Sequence, residues 1–161
     1  MITIKKVEEL KQYAKVIPAS ENDGSHNKVV FEFMENGEQA DVLFDCAVDL
    51  NYECQKSIQN GYENCIYVKA KKITLNKMFT CDKIFVDDLV INDWCVCKSI
   101  LAHKSISGNV LKCEHITCLS SIDCREIYTQ KINSKKVKAQ LLDIDNKIKL
   151  INLSCEKVEF N

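Results

Sequence analysis

From residue 65 onward, the hydrophobic positions of the chain recur with a period of sixteen residues. One column of this repeat is aliphatic in every period, and the column two residues later is mostly small. The two columns read Val68, Ile84, Ile100, Ile116, Ile132, Ile148 and Ala70, Val86, Ala102, Cys118, Ser134, Leu150. A fixed period of this length is typical of solenoid proteins, in which each repeat packs on its neighbours.

A shorter pattern lies within each period: an aliphatic residue is followed two places later by a second inward residue, as in Ile84/Val86 and Leu89/Ile91. A spacing of two puts both side chains on one face of a strand, whereas a helix needs spacings of three and four. The pairs recur every five or six positions, which predicts three short strands per period. We therefore predict an all-β fold, a right-handed triangular parallel β-helix of about 16 residues per coil.

The same frame predicts the less regular positions. It directs Met78 and Trp94 toward the core, where an indole fills a wide section. Tyr52 and Cys54 also fall on the sixteen-residue frame. The predicted solenoid domain therefore spans residues 45–161.

Residues 1–44 are predicted to form an N-terminal cap. A helical spacing of apolar residues covers residues 5–16 and ends before Pro18. Two apolar runs, 29–34 and 40–44, flank Asn36-Gly37, a dipeptide that favours a tight β-hairpin turn. A helix and a hairpin at this position would cover one open end of a solenoid.

The last repeat pair of the sequence, Val158/Phe160, carries no comparable cover. An uncovered strand edge pairs readily with another chain. We therefore predict a homodimer that forms through this edge, with Ile148, Leu153, Val158 and Phe160 as its interface candidates.

Charge divides the chain unevenly. Residues 20–64 contain ten acidic and two basic residues, whereas residues 65–161 contain sixteen basic and eleven acidic residues. The acidic part is a solvated face or a surface that binds a basic protein, in the second case by imitating nucleic-acid phosphates. The partner-face candidates are Glu32, Glu35, Glu38, Asp41 and Asp45.

The overall net charge of −1 argues against direct nucleic-acid binding. No apolar run approaches the roughly twenty residues of a membrane span, and the N-terminal residues lack the apolar block of a signal peptide. These features predict a cytoplasmic protein with no membrane contact.

Ten cysteines are present, and most occupy the small inward position of the repeat, which predicts buried free thiols in a reducing compartment. A zinc site is disfavoured because the frame sends His115 outward but Cys113 and Cys118 inward. Histidines 26, 103 and 115 are expected on the surface. No phosphate-binding loop or hydrolase motif is present, so we predict no cofactor and no enzymatic activity.

The segments Ile100-Leu101-Ala102, Ile116-Thr117-Cys118 and Ile132-Asn133-Ser134 resemble the bacterial and phage β-solenoids, of which the bactofilins are best known. The resemblance covers roughly the last two thirds of the chain and implies a non-enzymatic scaffold. Two functions are therefore carried forward: a self-associating scaffold, and a phage- or mobile-element-encoded inhibitor or adaptor that presents the acidic face. A third reading, an acyltransferase-type enzyme, is disfavoured because those repeats place the small residue before the aliphatic one.

Overall fold

In the computed structural model, most of the chain lies in strands of a curled, mostly parallel sheet, so the fold is all-β. The structure describes residues 1–18, 21, 27–56, 62–155 and 158–160, and their side chains within 1–18, 21, 28–53 and 67–145.

Within the described residues, the elements are strands and two short helices. The helices are a 3₁₀ helix (Val7–Tyr13) and α1 (Leu50–Lys56). The strands are β1 (Ile2–Ile4), β2 (Ala14–Ile17), β3 (Asn27–Glu32), β4 (Met34–Glu35), β5 (Glu38–Gln39), β6 (Asp41–Phe44), β7 (Val48–Asp49), β8 (Tyr62–Lys69), β9 (Lys72–Leu75), β10 (Phe79–Thr80), β11 (Lys83–Ala139), β12 (Leu141–Cys155) and β13 (Val158–Phe160).

Strand β11 contains 57 residues and curls back on itself. A straight strand of that length would extend about 190 Å, far beyond the size of a domain. Instead, side chains join backbone groups fourteen or fifteen residues away: Ser134 donates to the carbonyl of Ser120, and Thr129 donates to that of Glu114. The long strand is therefore a series of short segments stacked side by side.

Parallel pairing follows the sixteen-residue period that the sequence shows. Ile84 pairs with Val68, Leu89 pairs with Ile73, and Cys95 pairs with Phe79. The same offset joins Ile132 to Ile148 in β12, although one part of this ladder, from Ile127 to Leu142, is one residue shorter. Wherever both side chains are described, these pairings place one buried side chain beside another, so the sixteen-residue repeat of the sequence corresponds to one turn of the sheet.

The predicted inward pairs are confirmed over most of the described chain. Their side chains are buried in a continuous core that contains Ile73/Leu75, Ile84/Val86, Leu89/Ile91, Ile100/Ala102, Leu111/Cys113, Ile116/Cys118, Ile122/Cys124, Ile127/Thr129, Ile132/Ser134, Val137/Ala139 and Leu142/Ile144.

One face departs from the predicted frame by a single residue. Met78 and Trp94 are each half exposed, and the buried residues are Phe79 and Cys95. A shift of one residue moves a whole strand's side chains to the opposite face. The prediction that Trp94 lies in the core is therefore wrong: a phenylalanine ring and a thiol fill that position, and the indole lies outside.

The N-terminal helix and hairpin also differ from prediction. The expected helix over residues 5–16 is a 3₁₀ helix over Val7–Tyr13, after which β2 begins. The hairpin turn at Asn36-Gly37 is confirmed, with φ of 52° and 79° at its two residues, but β4 and β5 contain only two residues each.

Apart from the hydrogen bond from the Ala40 N–H to the Phe33 carbonyl beside the turn, the predicted arms of the hairpin join the parallel sheet. Strand β3 pairs with β8, and β6 lies between β1 and β9. Parallel pairing with the neighbouring strands buries Val42 and Phe44 together with the rest of the core. The division of the chain at residue 44 stays a prediction, although strands from both sides of it share one sheet.

Residues near 50 do not continue the strand frame. Val48 pairs with Phe79, and the chain then enters α1, so Tyr52 lies on a helix and its side chain is exposed. Asp49 begins this helix by accepting a hydrogen bond from the backbone N–H of Tyr52 at 3.1 Å. The strand reading of Tyr52 and Cys54 is wrong because this local cap favours a helical turn.

Candidate functional site

The interior thiols are the first candidate for chemistry, and their contacts are structural. Cys113 donates its thiol hydrogen to the backbone carbonyl of His115 at 3.3 Å, and Cys81 lies similarly, 3.8 Å from the carbonyl of Lys83. Both acceptors lie two residues after the donor. The thiols therefore hydrogen-bond locally to the backbone inside the core.

Hydroxyl groups take the same role in later repeats. The Thr129 hydroxyl lies 3.0 Å from the carbonyl of Lys131, and the Ser134 hydroxyl lies 3.2 Å from that of Lys136. Sequence reasoning treated this position as a small hydrophobic slot and missed the shared donor. The signal was present, because cysteine, serine and threonine all carry a hydrogen that can be donated.

Three of the thiols stack on successive strands at intervals of sixteen residues: Cys81, Cys97 and Cys113 are all buried. The neighbouring thiols of Cys113 and Cys95, followed by burial, raise the pKa of Cys97 well above its ordinary value. Burial also raises the pKa of Cys124 to about 12. Protonated, enclosed thiols are poor nucleophiles, so this ladder is suited to packing.

The cysteines with described side chains are free, as predicted. The burial predicted for Cys81, Cys97, Cys113, Cys118 and Cys124 is confirmed, and Cys95 is a further buried thiol. The side chain of Cys155 lies outside the described residues. Within the described part of the chain, no group of three or more cysteine, histidine or carboxylate side chains is arranged to hold a metal ion.

Asparagines form a ladder on the outer surface. Asn92 donates its amide to Asn76 at 2.8 Å, and Asn76 donates to the carboxylate of Asp45 at 3.2 Å. The same type of contact recurs where Arg125 donates to Asn109 at 2.6 Å. Asn76 and Asn92 are sixteen residues apart, a spacing that sequence analysis did not use. These bonds fix adjacent strands in register.

Two of the surface histidines are confirmed, since His103 and His115 are exposed; His26 lies outside the described residues. His103 lies 3.5 Å from the Asp87 carboxylate on the preceding strand, and Ser105 donates to Asp88 at 2.6 Å. Both contacts connect neighbouring repeats, so they contribute to strand register.

The acidic partner-face candidates lie on and around the β4–β5 hairpin. Glu35, Glu38, Asp41 and Asp45 are exposed, and we call these four residues the acidic surface. Glu32 is different: it is partly buried and accepts a hydrogen bond from the Tyr67 hydroxyl at 3.1 Å. Burial, followed by this carboxylate contact, raises the pKa of Tyr67.

The acidic surface places like charges next to each other. Glu35 and Glu38 are directly opposite across the hairpin, an arrangement that destabilises a strand pair. The N-terminal ammonium group of Met1 lies 3.5 Å from Glu35. A cationic group therefore already lies beside this surface, although exposed ion pairs of this kind contribute about 1 kcal/mol or less.

The C-terminal interface candidates lie on the last described strands. Ile148 and Leu153 belong to β12 and pair with Ile132 and Val137. Val158 and Phe160 belong to β13 and pair with residues of β12. Among the described strands, β13 has no partner other than β12. The structure describes the backbone of these four residues but not their side chains.

Comparison with known proteins yields no match, either to a protein-family model, to a curated protein or to a solved structure. Among the helices that the structure describes, none has the length and apolar character needed to cross a membrane.

Proposed function

We propose that this protein is a non-enzymatic scaffold, a right-handed triangular β-helix that binds further copies of itself through its C-terminal strands. The observation that carries the proposal is the one-sided pairing of β13 within the described sheet. Backbone N–H and C=O groups at such an edge are free to continue a sheet into another chain. Three stacked columns at intervals of sixteen residues support the triangular coil.

The composition of the interior supports a structural role. All of the described thiols except that of Cys46 are buried, and several donate hydrogen bonds to nearby carbonyls. The histidines at 103 and 115 lie outside, away from these thiols. A thiol nucleophile would require an adjacent base that lowers its pKa, whereas the pKa of Cys97 is raised.

The test is the solution mass of the full-length protein beside the variant Val158→Lys/Phe160→Lys, measured by size-exclusion chromatography with light scattering. We expect the native protein to be a dimer or larger and the variant to be a monomer, because charges at an edge strand oppose sheet pairing. The conservative variant Val158→Ile/Phe160→Leu is the matched control and should keep the native mass. A strictly monomeric native protein would refute the proposal.

A second function is favoured by the exposure of the acidic surface: an inhibitor or adaptor that binds a basic protein. The triple variant Glu35→Lys/Glu38→Lys/Asp41→Lys should then lose its partner in a pull-down experiment, because like charges would meet across the interface. Binding that persists in this variant would rule the adaptor function out.

A further inference from the structure

We draw no further inference here: the strongest candidate, the apolar patch on the outer face of β10 and β11 where Met78 and Trp94 lie half exposed directly before the paired residues Phe79 and Cys95, carries none because nothing in the described part of the structure shows what covers it.

Discussion

The N-terminal strands and the regular repeats bury their cores in different ways. Around Phe44, rings pack on one another: the ring centroids of Phe33 and Phe44 are 5.5 Å apart, and those of Phe44 and Phe79 are 4.8 Å apart. In the regular repeats, the buried side chains are mainly isoleucine, leucine and small residues, stacked at intervals of sixteen. Large aromatic side chains therefore fill the core in the region where the interval between paired strands is irregular.

The chain length between paired strands shows why the two regions differ. Ile73 and Leu89 are paired at an interval of sixteen residues, whereas Val42 and Ile73 are 31 residues apart. The longer interval contains the short strand β7, helix α1 and strand β8, and it offers no repeated frame for the side chains. The N-terminal core therefore depends on a few large contacts, and the repeats depend on many small ones.

Truncation of Phe44 should have the largest effect on this comparison. We expect Phe44→Ala to lower the free energy of unfolding by about 3–5 kcal/mol, because it removes a fully buried ring that contacts two others. Ile116→Val, in the regular repeats, should cost only about 0.5–1.5 kcal/mol. Urea unfolding measures both.

Hydrogen exchange makes the comparison sharper. If the two regions unfold independently, Phe44→Ala should increase amide exchange mainly at residues 2–4 and 41–44. Amides within residues 100–139 should then stay protected. Equal loss of protection along the whole chain would show that the aromatic cluster and the repeats unfold as one unit.

Replacement of Gly108 should cause the next largest loss in the free energy of unfolding. Its φ is +131°, and an added Cβ would overlap the backbone carbonyl oxygen of Ile91 and lie 2.6 Å from the carbonyl carbon. Because backbone atoms must shift to accommodate the methyl group, we expect Gly108→Ala to cost about 3 kcal/mol. Thermal and urea unfolding measure the loss.

Gly37→Ala is the matched control, since Gly37 also has positive φ but has open space around it. It should cost about 1 kcal/mol through backbone strain alone. Equal costs at the two glycines would contradict the close approach of residue 108 to the preceding strand.

Alkaline pH should reduce stability to a smaller degree through the buried thiols. The pKa of Cys124 is raised from 9.0 to about 12 by burial, so its contribution is complete below pH 9 and is lost as the pH rises toward 12. We expect Cys124 alone to contribute a loss of about 1.4 kcal/mol per pH unit in this window. Urea unfolding between pH 8 and 11, in the presence of a reductant, measures the slope.

Cys124→Ala should lower that slope, because it removes one of the buried thiols whose pKa is raised. The half-exposed Cys46 provides the control: its pKa is also raised, chiefly by burial, but Cys46→Ala should change the slope less. An unchanged slope in Cys124→Ala would show that other groups account for the alkaline loss.

The candidate surfaces were visible in the sequence to different extents. The exposure predicted for Glu35, Glu38, Asp41 and Asp45 is confirmed, because charged residues at a turn and on an outward strand face remain solvated. The partial burial of Glu32 was not visible, since its partner Tyr67 is 35 residues away.

The sequence by itself determined the sixteen-residue frame, the strand character and the buried thiols, because the side-chain period of a strand is two and like residues recur in each repeat. The tertiary structure decided the register of Phe79 and Cys95 over Met78 and Trp94. Met78 and Phe79 are adjacent apolar residues, and so are Trp94 and Cys95. The alternation of apolar and polar positions therefore permits either residue of each pair to face the core. Only packing against Phe44 and the neighbouring strands selects the phenylalanine and the thiol.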